Sequence, residues 1–160
     1  MITLKEISIL SDNMQACIEL EVAQNQRKFV SHNAKSLAEA YIKNKHEGGA
    51  KPYAIYNEEN TMVGFVMYEY VDEKIDDDFG ESAYYFWRLM IDEKYQGKGY
   101  GKAAIAKILE EVRTKPLGEA KHMYISYDPD NDKVRKLYAT YGFVETGTQI
   151  GGEDLAKLVL

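Results

Sequence analysis

The chain reads Tyr95-Gln96-Gly97-Lys98-Gly99-Tyr100-Gly101-Lys102 at the junction between a predicted strand and a predicted helix. An apolar run at 87–91 precedes this segment, and an alanine- and isoleucine-rich run at 103–109 follows it. The three glycines allow the main chain to approach a ligand closely. The N–H groups and the positive dipole end of a helix start attract phosphate, and the two lysines add positive charge. This glycine loop (residues 95–102) is therefore predicted to bind a pyrophosphate group.

Two other phosphate-binding patterns do not fit the glycine loop. The nucleoside-triphosphatase pattern needs Gly-x-x-x-x-Gly-Lys-[Ser/Thr], and no Ser or Thr follows Lys102. The dinucleotide pattern Gly-x-Gly-x-x-Gly would need glycine at 102 or at 104, where Ala104 stands. A third pattern, Gln/Arg-x-x-Gly-x-Gly, is matched by Gln96, Gly99 and Gly101. A glycine-rich turn without a ligand remains the alternative interpretation.

A second motif begins at Asn131. Apolar residues recur at spacings of three and four within 131–143, which predicts a short helix. Gly142 stands where a left-handed cap would end that helix. The arrangement is Asn131, six residues, Tyr138, three residues, Gly142 and Phe143.

Together, the two motifs resemble the signatures of the Gcn5-related N-acetyltransferase (GNAT) family. The resemblance extends over most of the chain, and its specific motifs lie within 85–143. It implies one N-acetyltransferase domain over residues 1–160, of the α/β (α+β) class. It further implies a mixed sheet of about seven strands flanked by about four helices. A splayed pair of parallel strands would receive the pantetheine arm of acetyl-CoA, the cosubstrate.

The resemblance also implies which residues bind acetyl-CoA. The main chain of 97–102 would hold the pyrophosphate together with Gln96. The strand before the glycine loop would bind the pantetheine amides and supply an N–H donor to the oxyanion of the reaction. The strand residues concerned are Leu89, Met90 and Ile91.

Two residues of the second motif carry predicted roles by the same resemblance. Asn131 would contact pantetheine, although a helix-capping residue is the alternative. Tyr138 would lie near the thioester sulfur. A phenol has a pKa near ~10 and is protonated at neutral pH, so Tyr138 would act as the general acid for the leaving thiolate. A purely structural core aromatic is the alternative for Tyr138.

The general base is not assigned by the sequence. Trp87 stands where polyamine acetyltransferases of the family often carry a carboxylate, and an indole cannot accept the proton. Glu21, Glu69 and Asp128 are the remaining candidates, and each can equally be a solvated or structural charge. A chain of water molecules leading to bulk solvent is the other alternative.

The acceptor is predicted to be a small polyamine or diamine. The net charge is −6, and the acidic run at 72–78 is predicted to lie near the acceptor entrance, where it would attract a cation. Residues 22–30 and 53–68 resemble the corresponding parts of bacterial spermine/spermidine acetyltransferases. Three alternatives remain: an aminoglycoside, a protein or peptide amine, and a non-catalytic acyl-CoA-binding sensor.

Composition narrows the remaining function classes. The acidic balance argues against a nucleic-acid partner, and no apolar run is long enough for a membrane span. Cys17 is the single cysteine, and His32, His46 and His122 lack metal-ligand spacing, so no metal is expected. A chain without a secretion-signal pattern at its start is expected in the cytoplasm. A homodimer is compatible with these features.

The periodicity outside the motifs predicts a strand at 2–7 and two helices before the first hairpin. The first helix is predicted to start at Ser11 or Asp12 and to include Leu20 and Val22, and an extension to Phe29 is left open. The later elements are predicted as a second helix from 36, a hairpin of strands 53–56 and 62–68, strands at 84–91, 123–127, 143–150 and 155–160, and a helix at 99–113.

Overall fold

Seven strands form one mixed sheet in the computed structural model, which describes residues 1–160. The order across the sheet is β1-β2-β3-β4-β5-β7-β6, and every neighbouring pair is antiparallel except β4 and β5. The strands are β1 (Thr3–Glu6), β2 (Ala50–Tyr56), β3 (Met62–Val71), β4 (Ala83–Ile91), β5 (His122–Tyr127), β6 (Val144–Ile150) and β7 (Glu153–Val159). The predicted mixed seven-stranded sheet is confirmed.

Four helices flank the sheet, as predicted. They are α1 (Asn13–Ile18), α2 (Asn33–His46), α3 (Tyr100–Arg113) and α4 (Asp132–Ala139), with short 3₁₀ turns at Gln24–Gln26 and Glu93–Tyr95. No helix combines the length and apolar composition that crossing a membrane requires.

The first helix is shorter than its periodicity predicts. It ends at Ile18, and Leu20 and Val22 lie beyond it. The main chain of Glu21 is bound elsewhere, because its N–H donates to Asp92 Oδ2 at 3.1 Å and its carbonyl accepts from Glu93 N–H at 2.8 Å. These long-range bonds replace the helical ones and tie this segment to the loop after β4.

The sheet separates two apolar layers. On one face, α3 and α4 cover the larger core, which includes Tyr84, Phe86 and Ile105. On the other face, α1 and α2 cover a smaller core that contains Phe65 and Met90. The alternation of side chains along β3 and β4 therefore sends neighbouring residues to opposite faces.

Strands β4 and β5 diverge along their length. They pair only at Tyr84 with Met123 and at Tyr85 with Tyr124, although β4 continues to Ile91. A bulge at Trp87 coincides with this divergence, since Met67 pairs with Arg88 while the next residue of β3 pairs with Phe86. Bulges bend a strand and increase its local twist. The predicted splayed parallel pair is thus present.

Candidate active site

The gap between β4 and β5 continues into a cleft of about 300 Å³. Both splayed strands contribute to its walls, through residues 85–89 and 125–128. The loop at 29–31 closes one side. The remaining lining residues are Asn131, Val134, Leu137 and Tyr138 from α4 and its start, and Glu153 from β7.

The cleft connects the two faces of the sheet. Phe86, Ile125 and Tyr138 belong to the core on the α3–α4 face. Tyr85 packs instead with the cluster that contains Tyr124 on the opposite face. Because one cleft is lined by side chains from both faces, a ligand arm on the α3–α4 side and an acceptor on the α1–α2 side can meet within the gap.

The glycine loop turns the chain into α3 through left-handed backbone conformations. Gly97 has φ +78° and Gly99 has φ +84°, values that a side chain disfavours. A Cβ at either position would meet no atom within 4 Å, so conformation and not crowding favours glycine there. At Gly101 a Cβ would lie 3.6 Å from Ile91 Cγ1, which is an ordinary contact. The protein itself therefore does not require glycine at 101.

The start of α3 presents free main-chain donors. The first intrahelical bond runs from Ala103 N–H to Gly99 O at 3.0 Å, and Gly99 provides no side-chain cap. No acceptor within the protein takes the N–H groups of residues 98–102. Such a turn with its positive dipole end is suited to an anion, and Lys98 and Lys102 flank it. This geometry fits the pyrophosphate that the sequence predicts.

The Gln96 side chain anchors the glycine loop through hydrogen bonds to neighbouring elements. Its Nε2 donates to Ile91 O at 2.9 Å and to Gln26 Oε1 at 2.7 Å. Gln26 Nε2 donates back to Gln96 Oε1 at 3.2 Å. The Gln96 side chain is therefore engaged with the end of β4 and with the 3₁₀ turn at 24–26, and it positions the loop.

The three predicted strand residues differ in what they present to the gap. Asp92 N–H donates to Val63 O at 2.9 Å, and inter-strand bonds alternate along an antiparallel pair. The main-chain N–H and C=O groups of Met90 are therefore directed at β3, whereas the same groups of Leu89 and Ile91 are directed at the gap. The Met90 side chain is buried in the smaller core. Of the three, Leu89 lines the cleft, and the Ile91 carbonyl accepts from Gln96 Nε2.

Asn131 has the capping role that the sequence offers as one of its two interpretations. Its Oδ1 accepts from Val134 N–H at 3.3 Å, so it caps α4. It also lines the cleft. Gly142 has φ +93°, which confirms the predicted left-handed residue after this helix.

Tyr138 is held by an aromatic cluster at the cleft. Its ring makes edge contacts with Phe86 and Phe143, each at a centroid distance of 5.5 Å. The residue is only 4% exposed, and its hydroxyl makes no hydrogen bond within the protein. Burial raises the pKa of Tyr138 well above its ordinary value, which keeps the phenol protonated. A protonated hydroxyl with an unused hydrogen lines the cleft.

Only one of the three candidate bases lies at the cleft. Glu69 is buried against Lys43 Nζ at 3.2 Å, and burial raises the pKa of Glu69. Glu21 pairs with Arg27 at 2.7 Å and does not line the cleft. Asp128 does line it, and its Oδ1 accepts from Asp130 N–H at 2.8 Å.

The acidic run lies elsewhere than predicted. No residue of 72–78 lines the cleft. Asp72 and Asp76 accept main-chain N–H groups of their own turns and adjoin a separate pocket beside Lys43 and Glu47. The run precedes β4, so it lies at the end of that strand opposite the glycine loop.

The cleft also contains a chain of polar side chains that the sequence does not predict. The Tyr85 hydroxyl lies 2.6 Å from Ser126 Oγ, and Ser126 Oγ donates to Glu153 Oε2. The alternation of β5 could have placed Ser126 on the face of Tyr124. Nothing local indicates Glu153, which reaches Ser126 only through the pairing of β5 with β7.

The family is established by comparison with known proteins. Residues 14–143 match the family of acetyltransferases named GNAT. The chain therefore belongs to the GNAT family, and it is an acetyl-CoA-dependent N-acetyltransferase.

Individual relatives share most of the chain. It is 32% identical over 140 residues to the spermine/spermidine N(1)-acetyltransferase of Bacillus subtilis, a match that covers 88% of this chain and 87% of the relative. The PaiA N-acetyltransferase of Thermoplasma acidophilum, solved with coenzyme A, superposes with a TM-score of 0.69 at 13% identity, covering 100% and 99% of the two chains. The spermidine N-acetyltransferase of Vibrio cholerae, solved with CoA and spermine, superposes with a TM-score of 0.65 at 20% identity. The match covers 99% of this chain and 94% of the Vibrio chain. These structures share the fold.

Proposed function

We propose that this enzyme acetylates an amine of a small polyamine or diamine, with spermidine and spermine as preferred acceptors. The observation that carries the proposal is the pair of carboxylates, Asp128 and Glu153, in the lining of a cleft that also holds Tyr138. Neither carboxylate forms an ion pair with a cationic side chain of the protein. The Bacillus relative, named for spermine and spermidine, supports the same acceptor class.

The electrostatics of the cleft favour a cation. Arg88 is the cationic residue in the lining, and its guanidinium is paired with Glu39 at 3.1 Å. Arg135 on α4 is likewise matched by carboxylates, including Asp154 at 2.8 Å. These local pairs leave the charges of Asp128 and Glu153 available to a protonated amine.

Two parts of the chain would bind the pyrophosphate and the pantetheine arm of acetyl-CoA. The free N–H groups of 98–102 would hold the pyrophosphate, and the main chains of Leu89 and Ile91 would bind the pantetheine amides. Asn131 would contact the same arm from the start of α4. When bound, the thioester supplies the activated acetyl group.

Two groups of the chain would assist transfer. The Leu89 N–H, directed at the gap, would donate to the carbonyl oxygen as negative charge develops there. Tyr138 would give its proton to the departing thiolate, since its hydroxyl has no competing acceptor within the protein. Burial raises the pKa of Tyr138, so its phenol carries its proton across the whole neutral range.

A panel of acceptors tests the substrate class. We expect thiol release from acetyl-CoA to be fastest with spermidine and spermine, slower with putrescine, and slowest with kanamycin and an N-terminal peptide. The reason is that one protonated end can stay with the cleft carboxylates while the other amine reacts. Preference for kanamycin or the peptide would overturn the polyamine assignment. Acetyl-CoA binding without thiol release from any amine would identify a sensor.

Asp128→Asn tests the electrostatic contribution. Asparagine retains the acceptor for Asp130 N–H and removes only the charge. We expect kcat/KM for spermidine to fall by about two- to fivefold, in line with the ~0.2–1 kcal/mol typical of an exposed ion pair. Added salt should diminish the difference between wild type and variant.

The acidic run provides the matched control. Because Asp76, Asp77 and Asp78 do not line the cleft, their joint replacement by Asn should leave spermidine kinetics unchanged at physiological ionic strength. If the triple variant lowers kcat/KM for spermidine more than Asp128→Asn does, the acceptor site would lie at the 72–78 loop instead.

A further inference from the structure

Three polar side chains form a continuous path from the cleft interior to its rim. Tyr85, Ser126 and Glu153 all line the cleft. The Tyr85 hydroxyl and Ser126 Oγ are 2.6 Å apart, and Ser126 Oγ is hydrogen-bonded to Glu153 Oε2. Tyr85 is partly exposed and Glu153 is exposed, so the path ends in solvent.

The strand arrangement accounts for this path. Tyr85 is the last residue of β4 that pairs with β5, opposite Tyr124. Ser126 follows two residues later on the same face of β5. The pairing of Ser126 with Leu155 brings the first residue of β7, Glu153, beside it. The path therefore begins where the two splayed strands separate.

The hydrogen count fixes the direction of the path. A carboxylate can only accept hydrogen bonds, so the Ser126 hydroxyl must donate its one hydrogen to Glu153. Ser126 can then only accept from Tyr85, whose own proton is thereby committed. The Tyr85 oxygen is left with lone pairs and no free proton, so it can accept a hydrogen bond from a group in the cleft.

We propose that Tyr85, Ser126 and Glu153 relay a proton from the acceptor ammonium to water. This inference rests on the proposed acetylation of an amine, and it assigns the base that the sequence leaves open. An ammonium N–H bond breaks as a new O–H bond forms on Tyr85, and the original Tyr85 proton passes to Ser126. The original Ser126 proton passes to Glu153, which releases it to solvent. The amine is left neutral and able to attack.

The two tyrosines of the cleft thereby have opposite roles. Tyr138 has an uncommitted proton, which suits a leaving thiolate. Tyr85 has a committed proton, which suits an incoming ammonium. Burial also raises the pKa of Tyr85, so its phenol stays protonated at neutral pH.

Glu153→Gln and Ser126→Ala test the relay. The amide of the first variant can still accept from Ser126 but cannot take up a proton, and the alanine of the second interrupts the path. We expect each variant to lower kcat/KM for spermidine by at least about tenfold near neutral pH. Glu110→Gln is the matched control, because Glu110 is an exposed carboxylate on α3 outside the cleft, and it should behave as wild type.

The pH profile distinguishes a relay from a merely structural role. Without the relay, only acceptor that is already neutral in solution reacts. The ratio of wild-type to variant kcat/KM should therefore fall steadily as the pH rises toward the amine pKa of about 10. A loss of kcat/KM that stays constant with pH, or a kcat/KM equal to that of wild type, would overturn the proposed relay.

Two further measurements separate the causes of a loss. Calorimetry should give the same CoA affinity for both variants and wild type, and thermal melting should show that both are folded. If wild type acetylates no amine, the proposed function fails before the relay is tested. If wild type is active and Glu153→Gln retains its full activity at all pH values, the relay alone is wrong.

Discussion

Tyr138→Phe is expected to lower kcat by about 10²–10⁴-fold, the usual contribution of a general acid. Phenylalanine keeps the ring and its edge contacts with Phe86 and Phe143, and it removes only the hydroxyl. That hydroxyl makes no hydrogen bond within the protein, so its loss leaves no buried partner unsatisfied. Single-turnover measurements with saturating acetyl-CoA and spermidine would isolate the chemical step.

Stability measurements provide the control for this variant. The melting temperature of Tyr138→Phe should stay close to that of wild type, and the affinity for CoA should not change. A variant as fast as wild type in the chemical step would show that Tyr138 is a core aromatic only. The thiolate would then leave without protonation by this residue.

Gly99→Asp is expected to weaken CoA binding by roughly 10- to 1,000-fold. The added carboxylate would stand at the N-terminus of α3, beside the N–H groups that are free to bind phosphate. Repulsion between like charges about 4 Å apart is worth about 1 kcal/mol in bulk water and about 4 kcal/mol at the dielectric near a protein surface. Isothermal titration calorimetry with CoA measures the change directly.

Gly99→Asn is the matched control for charge. Asparagine has nearly the same size and adopts the left-handed conformation about as readily as aspartate. Both variants therefore carry the same backbone strain at φ +84°, and only one carries the charge. Equal CoA affinities for the two variants would show that no phosphate binds at this helix start.

The parts of the fold that could be predicted depend on local sequence. The hairpin, the glycine loop and the helix between Asn131 and Gly142 are specified by periodicity, turn residues and caps, all within a few positions. The same holds for Leu89 and Ile91, whose strand is evident from its apolar run. Whether a given strand residue is directed at the gap depends on register, so Met90 was not separable from its neighbours.

The parts that could not be predicted depend on long-range pairing. Asp92 accepts from Glu21 across 71 positions, and this bond ends α1 earlier than its periodicity indicates. Ser126 meets Glu153 across 27 positions, through a strand order in which β7 lies between β5 and β6. The absence of the acidic run from the cleft lining has the same kind of cause, since the run adjoins the start of β4 and the glycine loop follows its end.

The reciprocal amide pair of Gln26 and Gln96 has a consequence for engineering. The segment at 19–31 contributes residues 29–31 to the cleft lining. The same segment is hydrogen-bonded to Gln96 of the glycine loop through this pair and to Asp92 through the Glu21 N–H. One engineering exchange is the replacement of 19–31 by the corresponding segment of a relative. In this chain a graft of 19–31 must bring its own partners for positions 92 and 96, because hydrogen bonds join the segment to both residues.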